Sequence, residues 1–459
     1  MQDGFVSVAA RTPRVRVADV DFNVEACEHE VTDAAQGGAK IVVLPELAVT
    51  GYTCEDLFWQ DKLLRAAERG VARLAQRVAA LDVLVLVGTP VIAGNKLYNC
   101  AVALKGGRVL GIVPKTFIPN YNEFYEARHF ASGPREVSYV DFAGEKGVPF
   151  GTSQLFSCES VPNLVVAAEV CEDLWVSEPP SIAHARAGAT VICNLSASNA
   201  IVGKASYRRD LVVGQSARLV CGYVYTSAGW EESTQDVVFS AHDMVAENGT
   251  LLAEGEPFGH AQAQSEIDVD MLAAERRRLS TYEAAPSPEA AGYEVTPFSL
   301  EVGQTRLSRR VDPHPFVPAS ARRRNERCED VLSIQSYGLA KRLSHTHAGS
   351  AVIGVSGGLD STLALLVTAR AFDLLGLDRS GIIAVTMPGF GTTERTHGNA
   401  TVMADALGAT LREVSIAASV RQHFADIGHD ESDHSVTYEN AQARERTQIL
   451  MDIANQEGG

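Results

Sequence analysis

The chain has little from which to build a disulfide or metal framework. Its eight cysteines are spread over 459 residues, with no Cys-x-x-Cys pair and no histidine cluster beside them. That spacing argues against a structural zinc or an oxidised scaffold, and a reducing cytoplasm is the expected setting. Long apolar runs are also missing: no stretch of ~18 residues is continuously apolar, so a membrane role is not expected. The first ten residues carry no basic segment ahead of an apolar one, so Phe5 to Ala10 is expected to open the fold as a strand rather than serve as a secretion signal. Positive charge is in the minority, 40 Lys and Arg against 57 Asp and Glu for a formal charge of −17. Such a balance repels a phosphate backbone and weighs against a nucleic-acid partner. The dense basic run Arg322-Arg-Arg-Asn-Glu-Arg327 fits a solvated linker or helix start.

What is present is the composition of a globular protein, 46% hydrophobic and 21% charged, in a chain long enough for two or three folding units. Over residues 1–270, short β-branched runs alternate with amphipathic helical stretches, the pattern of a layered α/β domain. Hairpins are expected around Gly106-Gly107 and Asn248-Gly249. From 271 to 325, Pro, Ala and charge break the pattern, which predicts a connector. Residues 326–459 resume with a helix, then Ser350 to Val355 as a buried strand running directly into a Gly-rich loop, the start of a doubly wound α/β domain.

Two groups of residues carry chemistry. In the first domain, Cys171 stands where the apolar strand Ala167-Ala-Glu-Val170 meets a polar turn, a corner that can expose a nucleophile beside a free backbone N–H. Glu46 ends the strand from Ile41 in a similar position and has the character of a general base once partly desolvated. Lys115 follows a hairpin strand and can hold a developing oxyanion. In the second domain, Ser356-Gly-Gly-Leu-Asp-Ser361, followed by Thr362, sits between strand and helix and forms a nest of N–H groups at a positive helix terminus. Gly357, Gly358 and Leu359 bring backbone to an anion, Ser356 and Ser361 offer hydroxyls, and Asp360 is placed to reach a Mg2+ ion. No lysine follows the glycines, so the loop is not of the Walker type and γ-phosphoryl transfer is not expected.

Leu44-Pro-Glu-Leu47 with Gly51-Tyr52, Pro114-Lys-Thr-Phe-Ile-Pro-Asn-Tyr121 with Phe124-Tyr-Glu126, and Cys171-Glu-Asp-Leu-Trp175 resemble, in this order, the three signatures of the nitrilase-like amidases. The resemblance implies an α-β-β-α sandwich with Glu46, Lys115 and Cys171 as a catalytic triad, the N–H of Glu172 as an oxyanion donor, and Glu126 as a brace. Asn194-Leu-Ser-Ala-Ser-Asn199, Gly203-Lys204 and Ser216-Ala-Arg218 are similar to the glutamine-specific subgroup fused to NAD synthetases. That likeness makes Tyr121, Glu172, Ser198 and Lys204 glutamine contacts, although Trp230 and Glu231 replace its usual glycine-rich stretch.

The Ser356 loop resembles that of the N-type ATP pyrophosphatases, whose domain is of the adenine nucleotide α hydrolase-like kind. Met387-Pro-Gly-Phe-Gly-Thr-Thr393 and Val436-Thr-Tyr-Glu-Asn-Ala-Gln-Ala-Arg444 extend the likeness to glutamine-dependent NAD synthetases. It implies ATP, Mg2+, glutamine and deamido-NAD as reactants, ammonia carried between sites through a dry conduit, and a homo-oligomer. Asn440, Gln442 and Arg444 would then contact deamido-NAD or ATP. Members of that family continue beyond the position of Gly459, so a working glutaminase joined to an impaired synthetase half is expected. Two other readings stay open: an amidase alone, or a non-catalytic assembly subunit.

Overall fold

The computed structural model describes residues 1–259, 262–390 and 394–459, and it divides into two compact units, Met1–Val311 and Asp312–Gly459. In the first unit the strands are β1 (Phe5–Arg11), β2 (Ile41–Val43), β3 (Leu84–Ala93), β4 (Lys96–Lys105), β5 (Arg108–Pro114), β6 (Ser138–Phe142), β7 (Glu145–Phe150), β8 (Gln154–Cys158), β9 (Val165–Val170), β10 (Val191–Ser196), β11 (Gly222–Ser227), β12 (Met244–Glu247), β13 (Thr250–Glu254), β14 (Gln262–Asp268) and β15 (Glu294–Phe298). Its helices are α1 (Val20–Gln36), α2 (Asp61–Arg77), α3 (Pro180–Arg186), α4 (Lys204–Leu219) and α5 (Val269–Arg278). One sheet runs β14-β1-β2-β3-β4-β5-β7-β6 and the other β13-β12-β11-β10-β9-β8-β15.

Alternation along the strands explains why the sheets stack. Val8, Ile41, Val43, Leu84 and Leu86 point into one apolar layer with Val166, Ala168, Val170 and Cys193 of the opposing sheet. Their neighbours Ala9, Val42, Val85 and Val87 turn the other way, onto Val24 and Val31 of α1 and Val71 and Leu74 of α2. On the far side, Ile192, Tyr223 and Tyr225 meet Ala185 of α3 and Val212 and Leu219 of α4. Strands buried on both faces read as continuous apolar runs, and a period of 2 sends successive side chains to different layers. The result is helix, sheet, sheet, helix.

Residues 271–325 contribute more than a span of chain. They carry most of α5 and also β15, which pairs in parallel with β8 from Glu294↔Gln154 to Phe298↔Cys158 and closes that edge of the second sheet.

The second unit holds α6 (Ala321–Thr346), β16 (Ala351–Gly354), α7 (Leu359–Leu375), β17 (Ile382–Thr386), α8 (Glu394–Leu407), β18 (Thr410–Glu413), α9 (Ala417–Ile427) and α10 (Val436–Glu457). Its three strands pair in parallel in the order β16-β17-β18. Ile382 and Ala384 pack with Leu365 and Phe372 of α7, whereas Ile383 and Val385 pack with Val420, Phe424 and Ile453 of α9 and α10. Helices therefore cover both faces, as in a doubly wound domain. Among the described residues no helix is long and apolar enough to cross a membrane.

Candidate active site

Three strand ends of the first unit converge. Glu46 follows β2, Lys115 follows β5 and Cys171 follows β9, so two come from one sheet and one from the other. The Glu46 N–H donates to the Ser196 carbonyl of the opposing sheet at 3.3 Å. Asp173 fastens the other two: its carboxylate accepts from Val170 N–H at 3.0 Å, just ahead of Cys171, and from Phe117 N–H at 2.8 Å and Thr116 N–H at 3.1 Å, just past Lys115. Burial pushes the Asp173 carboxyl up to about 7 in spite of those three donors.

Lys115 is fully buried and its Nζ lies 2.7 Å from Glu46 Oε1 and 2.8 Å from Glu126 Oε1. Burial works to lower its pKa, but the carboxylates of Glu126 and Glu46 hold it well above the usual lysine value. Asn99 Nδ2 donates to the same Glu46 oxygen at 2.6 Å, and Tyr52 OH donates to Glu126 Oε1 at 2.8 Å. The second Glu46 oxygen has no hydrogen-bond partner among the described residues. Burial raises the Glu46 carboxyl, against the pull of Lys115 and of a side-chain contact with the Cys171 thiol. Cys171 has φ +48°, a left-handed corner that costs a non-glycine residue about 1–3 kcal/mol and is typical of functional turns. It is buried rather than exposed; burial first, then Glu46, raises its thiol well above the free value. This arrangement suits a neutral thiol facing a proton acceptor, with an ammonium beside it for negative charge that develops later.

The residues expected to touch glutamine gather around this cluster. Tyr121 OH donates to Glu172 Oε1 at 2.7 Å. Lys204, at the start of α4, donates to Asn199 Oδ1 and sits 5.0 Å over the Trp175 ring. Burial lowers its pKa, Cys171 acts to raise it and Arg208 to lower it, so all three share one field. Ser198 is buried, and its Oγ accepts from Arg208 Nη2 at 3.0 Å. The departures Trp230 and Glu231 lie off the cluster: Trp230 is exposed, and Glu231 faces Arg14 at 3.6 Å. Their neighbour Glu232 is buried and accepts from Tyr52 N–H at 2.7 Å and Thr53 Oγ1 at 2.6 Å, fixing the loop that carries Tyr52.

In the second unit, Gly357 has φ +75° and Gly358 caps α7, so the chain turns from β16 into the helix through the expected loop. Ser361 Oγ receives the Ser356 N–H at 3.2 Å and donates to the Gly358 carbonyl at 3.0 Å, and Thr362 Oγ1 donates to the same carbonyl at 2.8 Å. Leu359 is exposed and Asp360 stands in the first turn. An open cavity of about 810 Å3 is lined by Ser356, Gly358, His434, Tyr438, Gln442 and Arg446. Gln442 thus faces the loop, but Asn440 and Arg444 do not. They line a separate groove along α10 with Thr447 and Met451, because positions two apart on a helix lie about 200° apart around its axis. Gly391 to Thr393 of the Met387 motif lie outside the described residues. Among the described residues no group of three or more His, Cys, Asp or Glu is gathered for a metal ion.

The fold is that of a carbon–nitrogen hydrolase unit joined to a doubly wound α/β unit, and comparison with known proteins agrees. The carbon-nitrogen hydrolase family matches residues 7–277 and the NAD synthase family residues 331–459. Glutamine-dependent NAD(+) synthetase of Mycobacterium tuberculosis is 40% identical over 472 residues, covering 100% of this chain and 69% of its own length. That of Thermotoga maritima is 26% identical, over 99% of this chain and 72% of its own. The crystal structure of a glutamine-dependent NAD(+) synthetase from Cytophaga hutchinsonii has the same fold, with a TM-score of 0.51 at 22% identity over 99% of this chain and 73% of that one. The chain belongs to the glutamine-dependent NAD(+) synthetase family.

Proposed function

We propose that the first unit hydrolyses glutamine at Cys171 and that the ammonia is spent in the second unit on adenylated deamido-NAD. Glu46 takes the thiol proton as Cys171 Sγ attacks the amide carbon. Lys115 and the Glu172 N–H hold the tetrahedral oxyanion, and the proton on Glu46 leaves with ammonia. Water, giving its proton to Glu46, then cleaves the γ-glutamyl thioester to glutamate and the free thiol. Tyr121, Glu172, Ser198 and Lys204 bind the α-amino and α-carboxylate groups.

In the second unit the loop Ser356 to Thr362 grips the ATP phosphates. The nicotinate carboxylate attacks the α-phosphorus, pyrophosphate leaves, and ammonia displaces AMP to give NAD. Mg2+ takes one or two protein carboxylates and fills its remaining positions with phosphate oxygens and water. Asp360 beside the loop hydroxyls fits that demand, and the ion would offset charge on the departing pyrophosphate. Of Asn440, Gln442 and Arg444, Gln442 is the one placed for nucleotide contact.

The observation that carries the glutaminase reading is the buried Glu46–Lys115–Glu126 cluster, with its two Lys115 contacts of 2.7 and 2.8 Å, next to a left-handed Cys171. The test is one reaction of the chain with glutamine, ATP, Mg2+ and deamido-NAD, glutamate and NAD both being quantified. Cys171→Ala is expected to abolish glutamate release with folding intact, and retained release would overturn the assignment. NAD formed in step with glutamate would support the synthetase reading; glutamate without NAD would overturn it and leave the glutaminase reading standing.

A further inference from the structure

Arg208, on α4, is among the largest fully buried side chains of the protein, 1% exposed. Among the described residues no carboxylate stands within ion-pair distance of it. Its partners are neutral: Ser198 Oγ at 3.0 Å, the Asn199 carbonyl at 3.1 Å, the Ser198 carbonyl at 3.5 Å and His242 Nδ1 at 3.1 Å. Its Nε has no acceptor among the described residues. The histidine contact fixes a tautomer. A guanidinium only donates, so Nδ1 must accept, and His242 Nε2–H then donates to Glu254 Oε1 at 2.6 Å. A buried cation without an anion is costly unless something supplies the missing charge. Lys204, one turn earlier on the same helix, adds a second cation, and Asn199 accepts from both while Ser198 accepts from Arg208. Glu123 and Glu172 lie in the field of Lys204, so the charge left without a carboxylate partner among the described residues is that of Arg208.

We propose that Arg208 is a positioning and specificity-determining residue for glutamine: it holds the Ser198–Asn199 turn, and its unpaired charge is completed by the substrate α-carboxylate bound through Ser198. This rests on the glutaminase reading above. The carboxylate is not required to touch the guanidinium; it reads the charge through the Ser198 hydroxyl and the backbone that Arg208 aligns. An amide without an α-carboxylate gains nothing from Arg208.

The test is Arg208→Met and Arg208→Lys in the full chain, with glutaminase kcat and KM measured for glutamine and the alkylation rate of Cys171 by iodoacetamide followed by peptide mapping. A lost hydrogen bond to a charged group predicts that Arg208→Met raises KM for glutamine about 10- to 100-fold. Alkylation is expected to stay within about 3-fold and kcat to change little, the pattern of lost ground-state binding. Arg208→Lys keeps the charge but shortens the reach, and is expected to raise KM by a smaller factor. It also keeps the proposal testable should the methionine variant not fold. Unchanged KM in either folded variant overturns the proposal. So does a parallel fall in glutamine turnover and Cys171 alkylation, which would make Arg208 only a structural prop. If the unaltered chain releases no glutamate, it is the glutaminase reading that fails.

Discussion

Replacing Lys115 by methionine isolates the charge economy of the site. In the native cluster one buried ammonium faces the carboxylates of Glu46 and Glu126 at 2.7 and 2.8 Å. The two oxygens it bridges therefore lie within about 5.5 Å of each other, and at an effective dielectric of about 20 their repulsion is about 3 kcal/mol. Methionine fills similar volume but leaves that repulsion uncompensated, and losing one partner of a buried pair costs about 3–5 kcal/mol. The two numbers agree, so Lys115→Met is expected to destabilise the first unit by about 3–5 kcal/mol at pH 8. The penalty has a sign in pH. Burial raises the Glu46 carboxyl in the native fold against the pull of Lys115, and without the ammonium that carboxyl binds its proton still more tightly when folded than unfolded. Protonating Glu46 on acidification then relieves the repulsion in the folded variant, and the gap to the unaltered chain narrows as pH falls.

Urea unfolding at pH 8 and pH 5 reads this directly. The three tryptophans, Trp59, Trp175 and Trp230, all lie in the first unit, so their fluorescence reports that unit alone. A penalty below about 1 kcal/mol, or one that grows on acidification, would refute the account of Lys115 as the counter-charge of two buried carboxylates.

Two further outcomes follow from buried groups near the same elements. His184 on α3 is enclosed with its Nδ1 2.8 Å from Tyr293 OH, and burial lowers its pKa to about 4. The unfolded chain takes up that proton first, so stability falls as pH drops from about 6.5 to about 4, by up to about 3 kcal/mol; His184→Gln, which does not titrate, should flatten that slope in the same fluorescence assay. Gly88 of β3 backs directly onto the Glu46 segment, and a Cβ there would lie 2.3 Å from Leu47 N and Pro45 O. Gly88→Ala must displace that backbone, and glutamate release should fall at least about 10-fold with the fold retained, since shifts of about 1 Å cost up to 100-fold; unaltered turnover would show that the position of Glu46 is not critical.

The parts of this molecule legible in the sequence are those that rest on local pattern. The apolar runs Val83 to Gly88 and Leu164 to Ala168 announce strands buried on both faces, and Gly106-Gly107 announces the β4–β5 hairpin, because period and turn chemistry are written in neighbouring residues. The Ser356 loop is legible for the same reason, as strand, glycines and helix are contiguous. β15 is not, since Pro297 and the surrounding prolines mask a five-residue strand that forms by pairing with the edge of β8, 140 residues earlier. Asn440 and Arg444 show the limit of transferring a motif as a string. The helix that brings Gln442 to the cavity carries the residues two positions away to its other side. Asn99, Asp173 and Arg208 matter through partners brought together by the fold, and an asparagine in a hairpin or an arginine in a helix has no local signature of that role.

Those long-range partners also explain why the site needs two sheets. A single sheet can align Glu46 and Lys115, both at strand ends of the β14 to β6 sheet, but their opposite charges would then only neutralise each other. Cys171 comes from the facing sheet, and the short, buried Asp173 side chain ties it to the Lys115 segment by accepting from the backbone N–H groups of Val170, Thr116 and Phe117. Burial keeps the thiol protonated, which protects it from oxidation and alkylation at rest. The same burial raises Glu46, so the acceptor is strengthened by the environment that suppresses the nucleophile. On the proposed glutaminase reading, activation then waits on a substrate that fits between the sheets, and reactivity is governed by access and alignment more than by the resting charge of the thiol.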